Sequence, residues 1–223
     1  MFSNHDQPRH IDRYGKHGDA EARARAAALL LFTLPGTPFV YYGEELGMRN
    51  VKLRYRDLRD PYTKRFWPFR PGRDPARTPM QWDGSDHAGF TTGRPWLPVA
   101  AGYAELNVAG ESADPRSLLA LYKRLITLRR ASPALTCGSV LLLPVEARDC
   151  LVYERIAQAT EGKAQRMMIV VNFSGHHREL TLPESVPRGR LLLSTHSATA
   201  DEKPFSRQMR LAPNEGRLVE LLG

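Results

Sequence analysis

Apolar and polar positions along this chain fall into three successive textures. Asp19 to Leu31 is rich in Ala, Leu and Arg, which predicts a helix with Asp19 as its N-cap, stopped by Leu34-Pro35-Gly36. Thr37-Pro38-Phe39-Val40-Tyr41-Tyr42 is then almost wholly apolar and is closed by Gly43. Such a run predicts a strand buried on both faces, as in a parallel sheet or barrel. From Arg49 to about Ser112 no period is sustained, yet Trp67, Trp82 and Trp96 all fall there. A stretch of that length without a period is functional or disordered, and its aromatics and prolines favour an ordered, functional loop.

Asp114-Pro115 predicts the start of a second helix, with Asp as N-cap and Pro at the first helical position. Leu118, Leu121, Tyr122, Leu125 and Leu128 would form its apolar face, and Ser132-Pro133 would end it. Beyond that point the texture becomes β-like. Val140–Leu143, Leu151–Ile156, Met167–Asn172, Glu179–Leu182, Arg190–Ser194, Met209–Leu211 and Arg217–Leu221 are short runs separated by turn residues. That pattern predicts a small antiparallel sandwich. The domain boundary is placed near Ser132, giving 1–132 and 133–223.

With 223 residues, 42% hydrophobic and 25% charged, the chain has ordinary globular composition. No apolar run approaches the ~20 residues that span a bilayer. Two cysteines, Cys137 and Cys150, exclude a disulfide-dense scaffold and cannot alone make a zinc site. The polar N-terminus carries no signal-peptide pattern, so a reducing, cytoplasmic setting is expected, with no cofactor and no metal.

The net charge of +8 is concentrated. Arg49 to Arg77 holds ten Lys or Arg against three acids, Asp57, Asp60 and Asp74, with Tyr55, Tyr62, Phe66, Trp67 and Phe69 interleaved. A basic, aromatic stretch can hold phosphates and stack on bases. Its prolines and the lack of any RNA-binding or helix-turn-helix signature argue against a nucleic-acid surface, and a solvated basic loop is the plainer reading.

Three segments carry candidate chemistry. Asn4-His5-Asp6 places an imidazole beside a carboxylate, which suits stabilisation of a developing cation but equally a local hydrogen-bonded turn. Glu44-Glu45 follows the predicted strand, where barrel enzymes keep catalytic groups. The plainer reading is an ordinary helical turn with solvated or arginine-paired charge. Arg73 to Asp83 is dense in fork-shaped donors, acceptors and rings, a set suited to a polyhydroxylated ligand.

The order of these blocks is specific. Phe2-Ser3-Asn4-His5-Asp6-Gln7-Pro8-Arg9, Leu34-Pro35-Gly36-Thr37-Pro38 and Tyr41-Tyr42-Gly43-Glu44-Glu45-Leu46-Gly47-Met48 come first. Gly72-Arg73-Asp74, Arg77-Thr78-Pro79-Met80-Gln81-Trp82-Asp83 and Ala88-Gly89-Phe90-Thr91 follow. Together they resemble glycoside hydrolase family 13, the α-amylase superfamily, in its α-glucosidase and oligo-1,6-glucosidase branch. The resemblance implies an α/β plus β fold: the C-terminal portion of a (β/α)8 TIM barrel followed by an antiparallel β-sandwich. It implies that Asp6 is the carboxylate that supports the oxocarbenium-like transition state, and that His5 and Arg77 bind the sugar. Arg9 and Arg73 match further motif positions for substrate binding. The substrate implied is a small oligosaccharide or α-glucoside, cleaved with retention by an exo-acting enzyme.

Retaining glycosidases need two carboxylates about 5–5.5 Å apart, one nucleophile and one general acid. The motifs that supply them in the family lie upstream of the block holding Asp6 and do not occur here. The expectation is therefore a C-terminal fragment that is inactive alone and, as half a barrel, poorly stable or self-associating. Two other classes compete: a non-enzymatic homologue acting as a partner subunit, and a basic nucleic-acid binder.

Overall fold

The computed structural model describes residues 1–15, 18–70, 72–158, 164–197 and 205–222. The chain forms two compact units. The first comprises Met1–Glu21 and Phe39–Ala120, and the second Ala22–Pro38 and Leu121–Gly223.

The first unit is built from short helices, turns and loops. Helix α1 (His10–Tyr14) follows the N-terminal turn, and a single 3-10 turn spans Glu44–Leu46. Asp60 caps α3 (Pro61–Phe66), its carboxylate accepting from the amides of Tyr62 and Thr63, with Pro61 filling the first helical position. Asn107 caps α4 (Val108–Ala113) by accepting from the Gly110 amide. Two small apolar clusters support the loops: Leu46, Met48, Met80 and Leu119 in one, and Leu53, Leu58 and Leu97 in the other. Among the described residues, the aperiodic stretch is thus ordered by local caps and small clusters, without a sheet.

The second unit carries most of α2 (Ala20–Thr33) and α5 (Leu118–Ala131), then α6 (Pro133–Cys137) capped by Ser132. Seven strands follow: β1 (Ser139–Leu142), β2 (Cys150–Ala157), β3 (Gln165–Asn172), β4 (Arg178–Thr181), β5 (Gly189–Ser194), β6 (Gln208–Leu211) and β7 (Gly216–Leu221). Every pairing is antiparallel, in a five-stranded sheet ordered β1-β2-β3-β7-β5 and a two-stranded sheet β4-β6. Each strand matches a run read from the sequence to within two residues at either end. Val152, Met168, Val170 and Val219 of the large sheet pack with Leu180, Met209 and Leu211 of the small one, which makes the sandwich core. Strand β3 is central, and Met167 to Asn172 is buried on both faces, which explains its continuous apolar run.

Two buried arginines close the C-terminal end of α2, where the last carbonyls lack helical partners. Arg129 donates to the carbonyls of Phe32 (2.7 Å), Leu34 (3.1 Å) and Gly36 (2.7 Å). Arg155 donates to those of Thr33 (2.6 Å) and Gly138 (2.8 Å). Thr33 also pairs its hydroxyl with Tyr153 at 2.6 Å.

Two expectations are corrected. Thr37 to Tyr42 is not a buried strand: it joins no sheet, and Phe39 is 62% exposed. A strand buried on both faces needs neighbours on both sides, and the described residues supply none. Asp114-Pro115 does not start a helix. Asp114 terminates α4, and α5 starts later, at Leu118, where the Ser117 hydroxyl accepts from the Ala120 amide as N-cap. The apolar face of α5 holds: Leu118, Leu121, Tyr122 and Leu125 are buried and Leu128 is half-buried.

Candidate active site

The Asn4–Gln7 segment is a hydrogen-bonded turn. Asn4 accepts from the Asp6 amide through its side chain (2.8 Å) and is bridged to Gln7 through its carbonyl (3.4 Å). That turn presents the side chains of His5 and Asp6 to solvent, with His5 Nε2 3.3 Å from Asp6 Oδ2.

Arg77 and Arg73 reach the same carboxylate from the loop more than 60 residues away. Arg77 Nη2 donates to Asp6 Oδ1 at 2.8 Å, and its Nε donates to the His5 carbonyl at 2.8 Å. One guanidinium therefore fixes both the backbone and the carboxylate of the pair. Arg73 Nη1 lies 3.6 Å from Asp6 Oδ1, while its Nε and Nη2 grip Asp60 at 2.9 and 2.5 Å. The Arg73 fork, then the Thr63 hydroxyl, hold the Asp60 carboxyl well below the usual carboxylate range. Asp74 accepts from the amides of Arg59 (2.7 Å) and Asp60 (2.9 Å), so the loop is pinned where it carries Arg73.

Arg9 does not join this group. Its side chain is buried behind the tyrosines, with its guanidinium 5.0 Å from the Tyr41 ring and 4.8 Å from the Tyr42 ring. It donates to the carbonyls of Tyr42 and Ala76. The Tyr41 and Tyr42 hydroxyls donate to the carbonyls of Ala76 (3.1 Å) and Thr78 (2.7 Å). Arg9 is thus a positioning group that ties the tyrosine segment to the Arg77 loop.

Glu44 and Glu45 do occupy a helical turn, as read, but neither is a solvated surface charge. Glu44 is buried, 3.2 Å from His10 Nδ1, and its Oε2 accepts from the Tyr41 amide at 3.1 Å. His10 Nδ1 is also 3.2 Å from the hydroxyl of Ser3. Glu45 is half-buried, and burial pushes its carboxyl above the usual range.

His5, Arg77, Tyr41, Tyr42, Glu45, Trp82, Phe90 and Trp96 line a cavity of about 660 Å³. Its rings are flat apolar faces of the kind that pack on C–H groups, and His5, Glu45 and Arg77 add ionisable groups to the same lining. Sequence reasoning reads the rings of Arg73 to Asp83, Trp82 among them, as suited to a polyhydroxylated ligand, but gives Trp96 no role and misses the wall made by Tyr41 and Tyr42. The available signal is an aromatic pair immediately before Gly43, whose backbone is left-handed (φ 78°). Among the described residues no group of three His, Cys, Asp or Glu side chains could hold a metal.

Comparison with known proteins gives the class. The family profile described as "Alpha amylase, catalytic domain" matches residues 1–138. The chain belongs to the α-amylase family, glycoside hydrolase family 13. It is 35% identical to an oligo-1,6-glucosidase of Parageobacillus thermoglucosidasius over 99% of its own length and 42% of the relative's. It is 42% identical to a probable α-glucosidase of Rhizobium meliloti over 68% of its length and 27% of the relative's. The trehalulose synthase MutB of Pseudomonas mesoacidophila MX-45 superposes with a TM-score of 0.81 at 32% identity, again over 99% of this chain and 42% of that one. The chain therefore spans less than half the length of these relatives. No helix among the described residues is long and apolar enough to cross a membrane.

Proposed function

We propose that these residues are the C-terminal part of a retaining, exo-acting α-glucosidase that removes terminal α-linked glucose from small oligosaccharides. Residues 1–132 would complete its (β/α)8 barrel and active-site loop, and 133–223 would be its sandwich domain. The observation that carries this reading is the convergence of His5, Arg73 and Arg77 on Asp6 beside an aromatic cavity.

A glucosyl cation develops positive charge at its ring oxygen and anomeric carbon, and a fixed carboxylate aimed at that charge stabilises it. Asp6 supplies the carboxylate, and Arg77 holds it at 2.8 Å in one orientation. His5 and the remaining Arg77 donors meet sugar hydroxyls. Arg73 steadies the approach of Arg77's loop through Asp60, and Arg9 keeps the tyrosine wall in place. One such carboxylate cannot run a double displacement. The nucleophile and the acid/base are therefore assigned to polypeptide outside these 223 residues.

The test is hydrolysis of an aryl α-glucoside. The 223-residue chain should show no turnover, and the extended reading frame should be active. In the extended protein, Asp6→Asn should lower kcat by about 10²–10³, the usual magnitude for losing a transition-state charge partner. Turnover by the 223 residues alone, or an Asp6→Asn protein of undiminished kcat, refutes the assignment.

A further inference from the structure

Arginines grip the Asp6 carboxylate from one side, and three buried side chains of the first unit stand behind the turn that carries it. Ser3 immediately precedes Asn4, His10 opens α1, and Glu44 opens the 3-10 turn after the tyrosines. His10 Nδ1 lies 3.2 Å from the Ser3 hydroxyl and 3.2 Å from Glu44 Oε1. All three residues are buried.

A Ser, a His and a Glu in mutual reach suggest a nucleophile and its base, but the geometry excludes that role. Both oxygens face the same ring nitrogen, whereas a catalytic triad uses one ring nitrogen for each partner. Ser3 is also sealed from any substrate. The cluster therefore holds rather than reacts. A bare Nδ1 would set its lone pair against that of Glu44 Oε1, so Nδ1 carries the hydrogen and faces both oxygens. Nε2 is then the bare nitrogen, buried and unpartnered among the described residues.

Two lines of contact run from this nitrogen to the candidate site. On one side the Ser3 hydroxyl, which also accepts from the His10 amide at 2.9 Å, holds the chain just before Asn4-His5-Asp6. On the other, Glu44 Oε2 accepts from the Tyr41 amide at 3.1 Å, and the Tyr41 hydroxyl donates to the Ala76 carbonyl at 3.1 Å. Ala76 adjoins Arg77, whose guanidinium returns to Asp6 Oδ1 at 2.8 Å. The contacts close a ring from the turn through Ser3, His10, Glu44, Tyr41 and Arg77 back to Asp6. Its two halves meet at His10 Nδ1.

We propose that His10 is a positioning residue whose Nδ1–H sets the Asp6 turn against the tyrosine wall. This rests on the glucosidase reading for what the site does, but not for the ring itself. The Ser3 arm fixes where Asp6 stands, which counts in the transition state. The Glu44 arm fixes the Tyr41–Tyr42 wall, which already meets the sugar in the ground state.

Kinetics of the extended protein on an aryl α-glucoside read the two arms separately. Ser3→Ala should lower kcat about tenfold at unchanged KM, and Glu44→Gln should raise KM about tenfold at unchanged kcat, each the size of one lost hydrogen bond. His10→Phe should do both, and neither substitution should add to the loss in its background. His10→Asn can place an N–H where Nδ1–H stood, so it should restore most of both parameters. A residue that only supported folding would lower the active fraction, reducing kcat and leaving KM alone in every variant. The proposal is overturned if Ser3→Ala leaves kcat unchanged, if Glu44→Gln leaves KM unchanged, or if His10→Asn is no better than His10→Phe.

Hydrogen exchange of the 223-residue chain checks the ring without substrate. His10→Phe should speed exchange of the Tyr41 amide about tenfold relative to the Met48 amide, which the Gly43 carbonyl holds at 2.9 Å. Equal Tyr41 exchange in wild type and His10→Phe overturns the proposal. An inactive extended protein that keeps this exchange difference refutes the glucosidase reading and leaves the ring standing.

Discussion

Arg155 offers the sharpest test of how the second unit is held together. Its side chain is fully buried with no carboxylate partner among the described residues, and it spans the carbonyls of Thr33 and Gly138 at 2.6 and 2.8 Å. Arg155→Met keeps much of the volume and removes both donors. Each buried carbonyl left unpaired costs about 1–3 kcal/mol. Against that stands the relief of a desolvated guanidinium, since burial holds the Arg155 pKa below its ordinary value. Two carbonyls cost about 2–6 kcal/mol together, and a relief of about 1–2 kcal/mol leaves a net loss of about 1–4 kcal/mol. Arg155→Lys retains the charge but can reach one carbonyl at most with good geometry, so it should fall between wild type and Met. Urea unfolding followed by far-ultraviolet circular dichroism, analysed by linear extrapolation, measures both. An Arg155→Met protein within about 0.5 kcal/mol of wild type would refute the reasoning, because the two carbonyls would then be satisfied without the arginine.

Other substitutions test the site itself. Gly43 has φ 78°, and a Cβ there would meet Met48 Sδ at 2.3 Å, so Gly43→Ala should destabilise by more than about 1 kcal/mol in the same urea assay. Asp60→Asn should lower stability at pH 7. The folded carboxyl titrates below its unfolded value, so its contribution is present above about pH 4 and is lost as pH falls further; the gap between the two proteins should close on acidification. Glu45→Gln should do the reverse. Its folded carboxyl titrates above the unfolded value, so its ionisation opposes folding at neutral pH; the substitution should raise the urea midpoint at pH 7 and lose that advantage below pH 4.

The sandwich was legible because its strands carry their own alternation and turn punctuation. Met167 to Asn172 announced a strand without help from any other segment. Thr37 to Tyr42 reads as strongly, yet its assignment depended on neighbouring strands that a local pattern cannot supply. At the candidate site only motif order groups His5, Asp6 and Arg77, since nothing in local spacing says that residues 6 and 77 touch. Motif order groups Arg9 with the sugar ligands because it stands in the same block. Its burial follows from two tyrosines more than 30 positions away, which a reading of single segments does not connect. The burial of Glu44 is illegible for the same reason: its partner His10 lies more than 30 positions upstream.

The unpaired Thr37–Val40 segment also has a kinetic consequence. The amides of Thr37, Phe39 and Val40 have no hydrogen-bond acceptor among the described residues, whereas the Tyr41 amide is held by Glu44. In deuterated buffer those three amides should exchange near the rate of a free peptide while Tyr41 lags behind. Strands added on either side would slow them. If the proposed barrel is completed by further polypeptide, deuterium uptake at these positions would fall, a readout independent of any catalytic one.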